Sequence, residues 1–476
     1  MKQLGRNIKI AILFLTFVTV LVIVGLFYQM HRAQTSLLAV AGENRASLSK
    51  IYSQAGEIYS SDGVILAGAE KEQRVYAKDL NVQLSVSQVV GDYTHHMSNT
   101  IETRYQNELL GKNRNVFEQL ILDLSGNGLK GDDVHLTVNA NLSSFVYQLL
   151  APYKAAAVVM NYQTGEILSS VSTPATYMEN IINYTDIPET ALFNRALNGK
   201  YVPGSTWKIM NAAAWLNFAD YNPELVIESD GSALRANGAS DIAYKNMSGL
   251  YDLNRAFTTS SNVFFGELAV AMGENYFSDF IRKSGLGKLQ NLDKLYVSQA
   301  VIDGSKASQD PALLSWFGTG QAVGDLEITM SPLELALITS AVANGGDLLK
   351  PHIVQYVENP LRQKKNIAKK TVSQKMFNIG TASSLKELMI NAVNSEESIQ
   401  TTVNVPGFTV GGKSGTVQKE TAENRIMQNA LWTGFVDSED VPLALAIVIE
   451  DAEYTDATAV KIGSQILAYA SKIQFK

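Results

Sequence analysis

The sequence predicts a protein of the α/β (α+β) class: an antiparallel sheet flanked by helices, with a small mixed N-terminal domain and one transmembrane helix. Three observations predict it. The run from Ile10 to Tyr28 carries no charge. Two hairpin patterns, at 155–171 and 429–450, lie far apart in the remaining chain. Between them the chain is long and mostly helical in pattern, and an amphipathic pattern, Asp456–Ile473, closes it. Strands from distant parts of the chain must therefore meet in one sheet.

The chain's 476 residues suffice for two or three domains and at least one large core. Hydrophobic residues at 46% and charged residues at 18% place it with ordinary globular proteins. A net charge of −7 argues against nucleic acid as a partner. There is no cysteine, which excludes disulfides and thiolate metal sites. The five histidines are scattered and form no His-Glu-x-x-His. His95-His96 reads as a solvated loop pair, and nothing points to a Ser-His-Asp triad.

Taken in order, the uncharged run of 19 residues is broken only by Thr16, Thr19 and Gly25. That is close to the roughly 20 residues a membrane span requires. Lys2, Arg6 and Lys9 precede it, so the N-terminus should stay in the cytoplasm with everything after the span outside. Ala39-Val40-Ala41 resembles a signal-peptide cleavage site, but it lies 11 residues past a run that is long for a signal core. The expected organisation is a cytoplasmic tail (1–9), an anchor (10–28), an N-terminal pedestal or interaction domain (29–133) and a main domain (134–476). Residues 29–50 are polar-helical in composition. Between 51 and 131 strand-like pieces such as Gly63–Ala67 accompany one helical pattern, Asn99–Leu110, and no chemistry is legible there.

The character changes at Val134. Residues 134–138 alternate like a strand, Asn141–Leu150 reads as a helix, and the strands Ala155–Asn161 and Glu166–Val171 flank a turn at Gln163-Thr164-Gly165. Next comes Pro203-Gly204-Ser205-Thr206-Trp207-Lys208, opening an alanine-rich helix. Ser205 belongs to its first turn, with Lys208 three residues on and on the same face. The serine's backbone N–H at a helix start can stabilise a developing oxyanion. A lysine walled by Trp, Met and Ala is poorly solvated, so its pKa should fall and free some amine to act as a base. On Ser-x-x-Lys alone, an N-cap serine with a surface lysine is the commoner explanation.

Two further signals fall in this domain. Ser260-Ser261-Asn262 is a polar knot bracketed by Phe257, Phe264 and Phe265, able to relay a proton and hold a peptide carbonyl. Lys413-Ser414-Gly415-Thr416 lies on a strand whose glycines admit a substrate backbone; its lysine suits a carboxylate, and the Thr416 N–H suits an oxyanion. The bare patterns also recur at Ser47–Lys50, Ser383–Lys386, Ser125–Asn127 and Lys283–Gly285, but those settings are polar, a turn sequence or a helix end. Residues 407–414 also fit a phosphate-binding loop literally, yet Gly415-Thr416-Val417 beyond them reads as strand rather than helix.

In their order, Ser205-x-x-Lys208, Ser260-x-Asn262 and Lys413-Ser414-Gly415 resemble the motif set of penicillin-binding proteins and serine β-lactamases. Residues 155–168 resemble the strand pair ahead of the serine in the transpeptidases. Gly318-Thr319-Gly320-Gln321, Met330–Ala336 and Trp432-Thr433-Gly434-Phe435 resemble segments of class B members. In the N-terminal region Ala55–Ala67 is similar to a family box, with Ala55 in place of its arginine and Ser60-Ser61 in place of Asp-Arg. The resemblance implies a penicillin-binding transpeptidase domain and a membrane-anchored, extracytoplasmic enzyme that cross-links peptidoglycan stem peptides and is acylated by β-lactam antibiotics. It implies Ser205 as nucleophile and Lys208 as base. Ser260 would be the proton relay, Asn262 the peptide holder, and Lys413 the carboxylate binder with Ser414, Gly415 and Thr416 beside it. The Ser205 and Thr416 N–H groups would form the oxyanion hole. It implies no cofactor, and it allows a glycosyltransferase of the division or elongation machinery as a partner. A D,D-carboxypeptidase or β-lactamase would use the same residues with water as acceptor, and a non-catalytic scaffold of the cell-wall machinery is a further alternative.

Overall fold

A computed structural model of the chain describes residues 2–40, 50–71, 73–229, 249–308, 310–420, 426–452 and 456–473. The chain begins with helix α1 (Lys2–Val40), then strands β1 (Ile58–Tyr59), β2 (Ile65–Glu70) and β3 (Gln73–Tyr76), helices α2 (Leu80–Val90) and α3 (Val116–Leu124), and strand β4 (Asp133–Leu136). Helix α4 (Ala140–Leu150) and strands β5 (Lys154–Asn161) and β6 (Ile167–Thr173) come next. The helical middle holds α5 (Lys208–Leu216), α6 (Leu253–Thr259), α7 (Asn262–Met272), α8 (Pro311–Thr319) and α9 (Pro332–Ala343). Strands β7 (Val354–Glu358) and β8 (Lys364–Lys365), helix α10 (Ile379–Asn394), strands β9 (Thr409–Glu420), β10 (Ile426–Asp437) and β11 (Leu443–Ala452), and helix α11 (Asp456–Ala470) complete it.

The two expected hairpins form one five-stranded sheet in the order β9-β10-β11-β5-β6, antiparallel throughout. Alternation along β5 divides its side chains between two layers. Ala156, Val158 and Met160 join the core that contains α9, whereas Ala155, Ala157 and Val159 join Leu142 and Val146 of α4 and Val460 and Ile466 of α11. Both faces are covered, which is why these strands read as continuous apolar runs. Helix α9 lies wholly buried, with Pro332 in its first turn and a capping box between Ser331 and Glu334.

A second sheet, β8-β7-β4-β1-β2-β3, has a different composition. Strand β4 pairs in parallel with β1 and antiparallel with β7, so strands from before residue 76 and from beyond residue 353 share it. Two buried ion pairs lie beside it, Arg74–Glu102 at 2.7 Å and Arg114–Asp132. In α1, Gly5–Leu26 is long and apolar enough to cross a membrane, and none of it is buried against the rest of the protein.

Some local expectations change. The single helix expected at 99–110 is two short ones, Ile101–Arg104 and Gln106–Leu109, parted at Tyr105 with φ −107° and ψ 17°. The break lets Glu102 reach Arg74 and Glu108 reach Lys294. His95 and His96 are not a solvated pair: His95 Nε2 lies 2.6 Å from the Tyr52 hydroxyl and His96 Nδ1 2.7 Å from Thr94 Oγ1. Burial lowers the His95 pKa. Helix α3 was not expected from the sequence. Ser47 and Ala41 lie outside the described residues.

Candidate active site

Ser205 sits not in an α-helical turn but in a turn of 3₁₀ helix, Gly204–Trp207, that runs directly into α5 at Lys208. Gly204 makes the entry possible. Its φ is +52°, and a Cβ there would stand 2.9 Å from Thr416 O on β9. The Gly204 N–H donates to Gly320 O at 3.0 Å. Gly320 has φ +79°, and a Cβ there would stand 2.2 Å from Gly204 O. Trp207 is buried behind the serine, tilted against Phe277 and edge-on to Phe317.

Lys208 is fully buried. Its Nζ donates to Ser260 O at 2.5 Å, to Asn262 Oδ1 at 2.7 Å and to Ser260 Oγ at 3.2 Å, and it lies 5.6 Å from the Phe265 ring centre. Two helices present these acceptors. Ser260 caps the C-terminus of α6 with φ +61°, an uncommon conformation for a residue with a side chain. Asn262 is the first residue of α7, which Ser261 caps by accepting from the Phe264 N–H at 3.1 Å. The left-handed Ser260 turns the chain between the two helices, so the hydroxyl and the amide meet at one point.

Lys413 arrives from β9. It is also buried, and its Nζ donates to Ser260 Oγ at 2.9 Å and to Ser414 O at 3.1 Å, 5.8 Å from the Phe257 ring centre. Ser260 Oγ therefore accepts from both lysines. Strand β9 is the edge of the five-stranded sheet, and it abuts the nucleophile turn. A Cβ on Gly415 would stand 2.9 Å from Pro203 O, and the Gln321 side chain donates to Thr416 O at 3.4 Å. The structure thus brings Ser205, Lys208, Ser260, Asn262, Lys413, Ser414, Gly415 and Thr416 into one place. Ser205 is half-buried there, within reach of solvent. Residues 409–420 pair with β10 along their whole length, which removes the phosphate-loop alternative because no helix opens after Lys413-Ser414.

Sequence reasoning missed the residues that hold this arrangement. Asn211 Nδ2 donates to Phe265 O at 2.9 Å and Gly318 O at 2.8 Å, joining α5 to α7 and α8. Tyr201 exchanges backbone bonds of 2.9 Å with Met330, just before α9, and its hydroxyl donates to Glu450 at 2.7 Å, where Arg195 also binds. Burial and Glu450 push the Tyr201 phenol well above its usual range, so it stays a donor. A polar side chain in the middle of the apolar run 209–216 was the available signal for Asn211.

A serine at a glycine-opened turn, a buried lysine behind it and a second lysine on an edge strand define a class of serine acyl-transfer fold. Comparison with known proteins agrees: residues 155–468 match the penicillin binding protein transpeptidase domain. The chain belongs to that family. It is 25% identical over 406 residues to the peptidoglycan D,D-transpeptidase PbpA of Mycobacterium tuberculosis, covering 79% of this chain and 80% of that one. It is also 25% identical over 360 residues to the peptidoglycan D,D-transpeptidase MrdA of Acinetobacter baumannii, covering 69% and 52%. The D,D-transpeptidase domain of a peptidoglycan glycosyltransferase from Eggerthella lenta superimposes with a TM-score of 0.74 at 26% identity, over 88% of this chain and 98% of that one. The fold also matches a ceftriaxone acyl-enzyme of penicillin-binding protein A from M. tuberculosis, with a TM-score of 0.77 at 22% identity over 89% and 99%.

Proposed function

We propose that this protein is a membrane-anchored peptidoglycan D,D-transpeptidase that joins stem peptides through an acyl-enzyme on Ser205 and is itself acylated by β-lactams. The observation that carries the residue assignment is the shared hydroxyl: Lys208 and Lys413 both bind Ser260 Oγ at the edge of the Ser205 turn. Ser205 Oγ bonds to the carbonyl carbon of the penultimate D-Ala while neutral Lys208 accepts its proton. The Ser205 and Thr416 N–H groups stabilise the oxyanion. Lys208 returns that proton through Ser260 Oγ to the leaving amine as the C–N bond breaks and the terminal D-Ala departs, which leaves Lys208 neutral again. Asn262 holds the donor peptide, and Lys413 with Ser414 and Thr416 holds its terminal carboxylate. An acceptor amine then attacks the ester carbonyl carbon and loses its proton to Lys208, which gives it to Ser205 Oγ as the ester C–O bond breaks, so that serine and neutral lysine are both restored. The N-terminus is cytoplasmic and the catalytic domain extracytoplasmic, with residues 29–133 as pedestal and 134–476 as transpeptidase domain. A membrane glycosyltransferase that polymerises the glycan is the natural partner, because cross-linking needs a polymer to join.

Ser205→Ala removes one hydroxyl and should abolish covalent labelling by a fluorescent penicillin while the thermal transition is kept. Peptide mapping of the wild-type adduct checks the assignment, and an adduct on Ser383 or Ser47 would overturn it.

A further inference from the structure

Helix α3 is built inside out. The side chains it turns toward the protein are polar or few: Gln119 donates to Gly128 O and Asp123 Oδ1, both at 2.8 Å, Glu118 binds Lys365 and Asn359, and Leu122 is its one buried apolar residue. The side chains it turns to solvent are apolar. Val116, Phe117, Leu120, Ile121 and Leu124 recur at helical spacing along one exposed arc, and Leu129 lies just beyond; Phe117 is 80% exposed and Leu124 and Leu129 are each 81% exposed. Water does not favour such a face, so it reads as a surface built to be covered.

Three placements say what covers it. First, the chain that follows the α1 anchor is fixed to the two segments that flank this helix: the Gly131 N–H donates to Gln54 O at 2.8 Å, and the Gly56 N–H to Leu109 O at 2.8 Å. Residues 53–57 line one surface hollow together with Lys130, Gly131 and Asp133 and with Asn359, Pro360 and Arg362 of the β7–β8 turn. Second, the β7–β8 hairpin that docks on α3 through Glu118 is basic. Residues 360–370 contain Arg362, Lys364, Lys365, Lys369 and Lys370 and no acid, in a chain whose net charge is −7. Third, apart from Lys365, which is engaged with Glu118, these cations are exposed, as are Lys112 and Lys130 at the two ends of the α3 segment and the apolar Ile367. Apolar side chains flanked by lysines next to the strand of chain that leaves a membrane span fit the headgroup region of an anionic bilayer: the rings and branched chains enter the acyl boundary, and the lysines meet phosphate.

We propose that the face formed by α3 and the β7–β8 hairpin rests on the membrane, binding anionic phospholipid, so that the pedestal lies against the bilayer instead of swinging on its tether. This rests on the anchor reading and not on the catalytic one. The absence of native cysteine makes the test clean. The full-length protein, with a single environment-sensitive probe at Phe117→Cys, Leu124→Cys, Ile379→Cys on α10, or Gly25→Cys in the span, is placed in nanodiscs containing lipid-bound quencher, with and without phosphatidylglycerol. The expected result is quenching at 117 and 124 several-fold above that at 379, increased by phosphatidylglycerol and reduced by K364E/K369E/K370E. Quenching at 25 with none above background at 117 and 124 sinks the proposal and leaves the anchor standing. No quenching at 25 sinks both. Shielding of 117 and 124 that arises only in native membranes and not in pure lipid assigns the face to a protein partner and also overturns the proposal. Penicillin labelling of each variant reports that the fold is intact.

Discussion

The five-stranded transpeptidase sheet and the N-terminal region proposed above as a pedestal treat polarity in opposite ways. Around the five-stranded sheet, two buried lysines converge on a hydroxyl, an amide and carbonyl oxygens. In the pedestal, buried Arg74 and Arg114 are matched one to one with Glu102 and Asp132, and the apolar surplus of α3 lies outside. A buried cation facing a carboxylate is architecture, because each charge offsets part of the other's desolvation cost and removing one leaves the other buried and uncompensated. A buried amine aimed at a hydroxyl beside a nucleophile is poised to exchange a proton. Buried charge thus has a different job in each region, and substitutions can tell the two jobs apart.

The largest effect should come from Lys208. Lys208→Ala removes the proposed base and should slow penicillin acylation about 10²–10⁴-fold. Lys208→Arg should not rescue it, since a guanidinium does not release its proton. A stopped-flow acylation rate within a few-fold of wild type in either variant would reduce Lys208 to a structural post.

The pedestal pair should respond in stability instead of rate. Glu102→Ala strands the Arg74 guanidinium, which is wholly buried, and should cost about 3–5 kcal/mol of folding stability. Acylation per folded molecule should not change. Urea unfolding read beside penicillin labelling separates the two, and a slowed acylation rate with unchanged stability would reverse the assignment.

Legibility in the sequence divides along the same line. Continuous apolar runs near 155–171 and 429–450 were legible because both faces of that sheet are buried, so nearly every residue signals strand. Ser205, Ser260 and Lys413 could be singled out because polar groups amid Trp, Phe and Gly are conspicuous. Helix α3 could not be read, because its apolar residues point away from the core. The pairing of β7 with β4 was also hidden, since no local pattern tells residues 354–358 that their partner lies more than 200 positions earlier. Tyr105 breaks its helix for tertiary reasons, to let acids on either side turn inward. Asn211 was overlooked because its partners are backbone carbonyls on two other helices, invisible to any spacing rule.

Glu334 tests whether a buried acid within the transpeptidase domain can be architectural too. Burial raises its carboxyl from 4.5 to about 7, against the pull of the Ala300 and Ser331 N–H groups, and Asp293 and Lys350 line the cavity beside it. A raised carboxyl favours the protonated folded state. Its stabilising contribution is complete below pH 4.5, falls as the pH climbs toward 7, and is gone above that, a loss of about 3 kcal/mol at most. Glu334→Gln keeps one acceptor oxygen and cannot ionise, so the gap between variant and wild type should shift in the variant's favour from pH 5 to pH 8. Parallel denaturation curves across that range would show that Glu334 does not titrate there.

The smallest effect should come from Arg255, the charge that looks most like the pedestal's pairs yet sits in the active-site half. It holds Glu397 at 3.2 Å and Leu250 O at 3.0 Å, and it lies 4.5 Å from the Tyr251 ring centre. It also belongs to α6, the helix that ends in Ser260. Exposure decides its value. The arginine side chain is 32% and the glutamate side chain 50% accessible, so water screens the pair and the side-chain entropy lost in holding it nearly offsets the attraction. Arg255→Ala should therefore lower stability by under about 1 kcal/mol, with part of that from the lost stacking on Tyr251. The Ser260 turn is held by its own backbone bonds, Ser260 N–H to Phe257 O and Ser261 N–H to Ala256 O, so acylation should stay within about two-fold of wild type. A ten-fold loss of acylation at unchanged stability would mean that this surface pair positions α6 and that exposure alone does not separate architecture from chemistry here.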